Sequence, residues 1–175
     1  MEDTTVSIIG IIIASIMMFM VPLILIADRA DDIAQLVVQT TTSEFVNEVI
    51  KSGKITNDSY QKFVSQLTSS GNTYEIDMEI KVLDKNTSKI GDNNTYYSIF
   101  TSQIEDIIGL SGKNTVNNSD GKIILKQGDA ISVTVKNSSK TLSQSLKSFY
   151  YNIAGSDVQI ITATASGTIA INGMR

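Results

Sequence analysis

The chain has no cysteine and no histidine, a single proline and only two arginines, and each shortage narrows what it can do. Without cysteine there is no disulfide, no thiolate nucleophile and no thiolate metal ligand, and the redox compartment stays open. Without histidine the chain lacks the side chain best suited to proton transfer near neutral pH, which is also the commonest metal ligand. Together these absences remove most of the usual enzyme designs. Arg29 and Arg175 are the only arginines among 14 basic residues, the lysines are scattered from Lys51 to Lys147, and the net charge is −4. No basic cluster exists to neutralise a phosphate backbone, so nucleic acid is not an expected partner. The 175 residues suit one compact domain plus an anchor.

What is present is a long apolar run. From Val6 to Ala27 the sequence reads VSIIGIIIASIMMFMVPLILIA without a charge. As a helix these residues reach roughly 33 Å, enough to cross a hydrocarbon layer about 30 Å thick. A buried core helix fits poorly, because so small a domain cannot surround a helix that is apolar on every side. A cleaved secretory signal also fits poorly: no Lys or Arg precedes the run, the run is too long, and no small-x-small site follows it. Ser7, Gly10 and Ala14 share one helical face, where small side chains let another helix approach closely; frequent small residues in membrane helices also produce such a face by chance. Pro22 removes one backbone hydrogen bond, to the carbonyl of Met18, and favours a kink. Glu2 and Asp3 before the run and Asp28, Arg29, Asp31 and Asp32 after it leave the positive-inside rule almost nothing to count.

Beyond the run the helical pattern continues. Ile33, Leu36, Val37 and Thr40 form one stripe; Phe45, Val46, Val49 and Ile50 form another. The β-branched triplet Thr40, Thr41, Thr42 is a weak point between them, where Thr41 and Glu44 predict a capping box that restarts the helix, and Gly53 predicts its stop. A second helix is expected from about Thr56 to Gly71, burying Tyr60, Phe63, Val64 and Leu67. The period then changes to two: Tyr74, Ile76, Met78, Ile80 and Val82 alternate with Glu75, Asp77, Glu79 and Lys81, the pattern of a half-buried strand. A loop over 84–95 leads to a short helix carrying Ile99, Phe100, Gln103, Ile104, Ile107 and Ile108. Strands are expected over 122–126, 130–136 and 158–172, with an amphipathic helix marked by Leu142, Leu146, Phe149, Tyr150 and Ile153 before the last of them. The expected fold is α+β: a transmembrane or filament-core helix over 1–27, its amphipathic continuation over 28–53, and an extracytoplasmic head over 54–175 with about four strands and two or three helices.

Candidate sites are few. Asn118, Asp120, Gly121 and Ile123 match part of a calcium loop, but Val116 and Gln127 stand where carboxylates are required, and a turn is the more economical reading. Asp28, Asp31 and Asp32 are candidates for binding a cation at the membrane surface, although such residues more often mark where a helix leaves the apolar layer. Glu105 and Asp106 are adjacent, about 100° apart on a helix, a poor acid/base pair. Ser52-Gly53-Lys54 and Ser111-Gly112-Lys113 carry the Ser-x-Lys spacing of some hydrolases, yet both look like helix-terminating turns. Residues 109–113 lack the spacing of a phosphate loop, and the Asn-x-Ser/Thr triplets follow from composition. No catalytic residue, cofactor, metal or small-molecule substrate is expected.

The layout of an apolar N-terminal helix, its amphipathic continuation and a small α/β head resembles the type IV pilin superfamily, and Pro22 late in the run resembles the proline that loosens those helices inside a filament. Glu44-Phe45-Val46-Asn47, Gly53-Lys54-Ile55-Thr56, Tyr60, Phe63 and Gly71-Asn72-Thr73-Tyr74-Glu75 look like pilin-like proteins of tight-adherence (Tad/Flp-type) loci in Gram-positive bacteria, over about the first half of the chain. The resemblance implies a single-pass membrane protein with an extracytoplasmic head. It implies lipid as partner before assembly, assembly-machinery proteins as further partners, and self-association into an extracellular filament for adhesion, secretion or DNA transfer. Glu2 would then neutralise a neighbour's N-terminal amine. Two departures stand out: no basic leader ending in Gly or Ala precedes the run, and no glutamate lies five residues into a processed start. Either processing has already happened or no prepilin peptidase acts. The alternative is a monomeric, membrane-anchored binding module, or a minor component of a secretion or conjugation machine.

Overall fold

The computed structural model describes residues 2–83, 96–110, 121–154 and 160–172, without the side chains of 2, 3 and 149–154. The fold is α+β, and among the described residues it has a long N-terminal apolar helix, six strands and three further helices. Helix α1 runs from Glu2 to Ser52 without a break. The expected restart at the threonine triplet does not occur. Thr42 instead donates its hydroxyl to the Val38 carbonyl at 2.6 Å, satisfying itself inside the helix and leaving the ladder intact. Gly53 ends the helix with φ of 63°, its N–H bonded to the Val49 carbonyl; a side chain there would be strained.

The chain divides into two compact units, one of residues 1–34 with 140–160 and one of residues 35–139 with 161–175. In the second unit, β1 (Lys54–Thr56) pairs antiparallel with β4 (Lys122–Ile124). Helix α2 (Asn57–Thr68) is capped by Thr56, whose hydroxyl and that of Ser59 satisfy one another's backbone N–H, and it buries Tyr60, Phe63 and Leu67 as its spacing predicts. The main sheet is antiparallel in the order β3-β2-β5-β6: β3 Tyr96–Phe100, β2 Tyr74–Leu83, β5 Ala130–Asn137 and β6 Thr162–Thr168. The alternation read in β2 is realised. Met78 and Ile80 are buried with Val133 and Ile131 opposite them, while Glu75 and Lys136, paired across strands, lie on the wet face.

Several expectations are corrected. Ile99 and Phe100 belong to β3, opposite Ile80 and Glu79, and α3 begins only at Thr101 and ends at Ile107. Cross-strand pairing here overrides a helical spacing that the sequence also satisfied. The last strand covers seven residues rather than the whole of 158–172. The stripe Ile33, Leu36, Val37 and Thr40 is not the buried one: Ile33 and Leu36 are each more than 60% exposed, and the covered side of α1 in the second unit carries Val38, Thr41, Thr42, Phe45, Val46 and Val49. There Phe45 stacks on Phe63 with ring centroids 4.4 Å apart.

β6 comes close enough to α1 that a Cβ at Gly167 would run into the end of the Ile50 side chain, which would have to shift to make room. Asp129, buried in the β4–β5 turn, accepts from the Leu83 and Lys126 amides at 3.0 and 2.7 Å, so each of its carboxyl oxygens has a hydrogen-bond partner.

Candidate functional site

The apolar run is the first half of α1, and no part of its most apolar window is buried. This is the one helix among the described residues long and apolar enough to cross a membrane. Between positions 4 and 26 only Met20 and Ile24 are partly covered. Ser15 returns its hydroxyl to the Ile11 carbonyl at 2.8 Å, which removes the cost of placing a hydroxyl in an apolar surrounding. Ser7, Gly10 and Ala14 all lie on open helix surface, and a Cβ built on Gly10 meets nothing within 4 Å. Pro22 is exposed inside the helix, which runs through it. Glu2 opens α1, and its side chain lies outside the described residues.

At the end of the run the first unit forms a polar collar. Helix α4 (Leu142–Ala154) starts at Thr141, whose N–H donates to the Gln144 carboxamide at 3.0 Å while the Gln144 N–H donates back to the Thr141 hydroxyl at 3.1 Å. The same Thr141 hydroxyl donates to the Asp31 carboxylate at 2.7 Å. One turn earlier on α1, Asp28 accepts from the Ser143 hydroxyl and pairs with the Lys147 ammonium at 2.6 Å. These two donors hold the Asp28 carboxyl below the usual carboxylate range, the Lys147 hydrogen bond first and Ser143 second.

Sequence reasoning singles out Asp28 and Asp31 as boundary markers, with a surface cation as the alternative, and misses that Thr141, Ser143 and Lys147 meet them. The Thr-x-x-Gln spacing at 141–144 was the available signal for the cap; the link to α1 has no local signature.

The remaining candidates resolve into structural roles. Ser52 bridges the amide and carbonyl of Lys54 at 3.3 and 3.1 Å, closing the turn that ends α1, and Lys54 is exposed rather than held in an apolar pocket. Glu105 accepts from the Tyr60 hydroxyl at 2.8 Å, and burial together with that carboxylate pushes the tyrosine pKa well up. The calcium-like residues Asn118 and Asp120, and the triplet at 111–113, lie outside the described residues. Among the described residues no group of three potential metal ligands assembles. A shallow depression on the wet face of the sheet is lined by Asp77, Glu79, Phe100, Ser132 and Thr134; Glu79 is already engaged by the Ser98 hydroxyl at 2.7 Å.

Comparison with protein-family models, with curated proteins and with solved structures finds no match for this chain.

Proposed function

We propose that the chain is a pilin-like structural subunit of an extracellular filament, held in the membrane through residues 6–27 before assembly and packed through them in the filament core afterwards. The observation that carries the reading is the bare first half of α1. Apart from Met20 and Ile24, its large apolar side chains from Val6 to Ile26 are about half exposed or more, with Met18 at 76%. Apolar surface that size, at roughly 25 cal/mol per Å², calls for lipid or neighbouring helices around it. Exposure continues past the run at Ile33 and Leu36, which gives neighbouring subunits an apolar strip beyond the reach of the hydrocarbon layer. The small face of Ser7, Gly10 and Ala14 is where helices would come closest.

The test is electron microscopy after detergent removal, on the native chain and on Gly10→Leu. The variant stays as apolar as the original, so its membrane level should be unchanged. Overpacking a tight helix contact costs about 1–3 kcal/mol and recurs at every subunit, so few or no filaments are expected. Native filament numbers from the variant would remove this packing face. A native chain that never polymerises would leave the anchored binding module.

A further inference from the structure

We infer that α4 is a lipid-contacting helix, fastened to the membrane end of α1 at the headgroup layer and directing its second half toward the acyl chains. The inference rests on residues 6–27 spanning the bilayer, and its first support is place. Asp28 is the first charged residue after the apolar run, so it marks the level at which the helix leaves hydrocarbon. Ser143 and Lys147 are bonded to that residue, so α4 lies at the same level.

The second support is direction. Thr141 meets Asp31, whereas Ser143 and Lys147, further along α4, meet Asp28, closer to the run. Each step along α4 from Thr141 therefore leads toward the membrane. The seven residues after Lys147 add about 10 Å at 1.5 Å each, comparable to the 5–10 Å by which interfacial helices sink. They read SFYYNIA, without a charge and with three aromatic residues, the composition favoured at a membrane–water boundary.

The third support is that the first turn of α4 is turned inside out. Its covered residues are the polar Thr141, Ser143 and Gln144, while Leu142 is 66% exposed. In water that arrangement wastes a leucine and buries three polar side chains. Facing lipid it is the favourable one, because the polar groups find partners on α1 and one another and the leucine meets an apolar medium. Leu142 opens the stripe continued in sequence by Leu146, Phe149 and Ile153.

The chain contains no tryptophan, so a single introduced indole reports one position. Leu142→Trp, Leu146→Trp and Ile16→Trp, each in the full chain, are reconstituted at low density into phosphatidylcholine vesicles with acyl chains brominated either near the headgroup or near the terminal methyl. The expected result is loss of emission at positions 142 and 146 that is greater from shallow bromine, and at position 16 greater from deep bromine. Quenching at 16 with none at 142 or 146 overturns the α4 inference and leaves the span standing. No quenching at 16 overturns the span and the inference with it. Indoles at 142 and 146 shielded from aqueous acrylamide yet untouched by bromine would mean that protein covers the stripe, which also overturns the inference. Leu142 is exposed, so its replacement leaves the fold in place whatever happens at the half-buried Leu146.

Discussion

Between positions 4 and 26, α1 leaves every side chain exposed except Met20 and Ile24, whereas between positions 38 and 49 the same helix buries Val38, Thr41, Thr42, Phe45, Val46 and Val49. Backbone geometry does not distinguish the stretches, since one hydrogen-bond ladder passes through both. Side-chain arrangement does. The first stretch is apolar on all sides and selects no face, and its side chains stay largely exposed. The second is polar on one side and selects a face, which α2 and the sheet complete from within the second unit through contacts such as Phe45 on Phe63. Apolar content alone therefore says little about what a helix does; its distribution around the axis says more.

The strongest test of that contrast sets a buried ring against an exposed chain on the other side of the helix. Phe63→Ala should lower unfolding free energy by about 3–5 kcal/mol, because it empties the space against Phe45. Leu36→Ala should change it by no more than about 0.5 kcal/mol. Urea midpoints of the two variants decide the matter, and equal losses would dissolve the distinction. Of intermediate size is Gly167→Val. It drives a side chain into Ile50 and should cost about 1–3 kcal/mol by the same measurement, with the Ile50→Ala background relieving part of it.

The subtlest effect concerns the collar. Asp28 has its pKa lowered by Lys147 and Ser143, so the stability it lends is present above the ordinary carboxylate value near ~3.9 and is lost as pH falls through the depressed value in the folded state. Amide exchange at Gln144 and Ser145 should accordingly stay slow down to about pH 4 and quicken below it. Asp28→Asn should abolish that acid step.

The apolar run, the buried face of α2 and the β2 alternation could be read directly because each is a local pattern in the sequence. On α1 the stripe at Phe45, Val46 and Val49 was legible too, and all three are buried; the buried side ahead of it was not. It is marked by Val38, Thr41 and Thr42, whose short or hydroxylated side chains look less hydrophobic than the exposed Ile33 and Leu36 beside them, so a search for the most apolar stripe selects the wrong side. The strand at 96–100 was hidden for another reason: Ile99 and Phe100 fit a helical spacing with Ile104, and only pairing with Ile80 and Glu79 decides against it. The collar joins residues more than a hundred positions apart, and nothing local announces it.

The bare half of α1 also has a calorimetric consequence. Heat capacity rises on unfolding as apolar groups become hydrated, by about 12–15 cal/mol/K per residue of an ordinary globular chain. For 175 residues that would amount to roughly 2.1–2.6 kcal/mol/K. Residues 4–26 are not withdrawn into the protein's interior, and in detergent or lipid they stay shielded when the rest unfolds. They should add almost nothing, so the measured increment should fall short by roughly 0.3 kcal/mol/K. A thermogram with that deficit would report where the helix resides, and a fully folded head would still lie behind it.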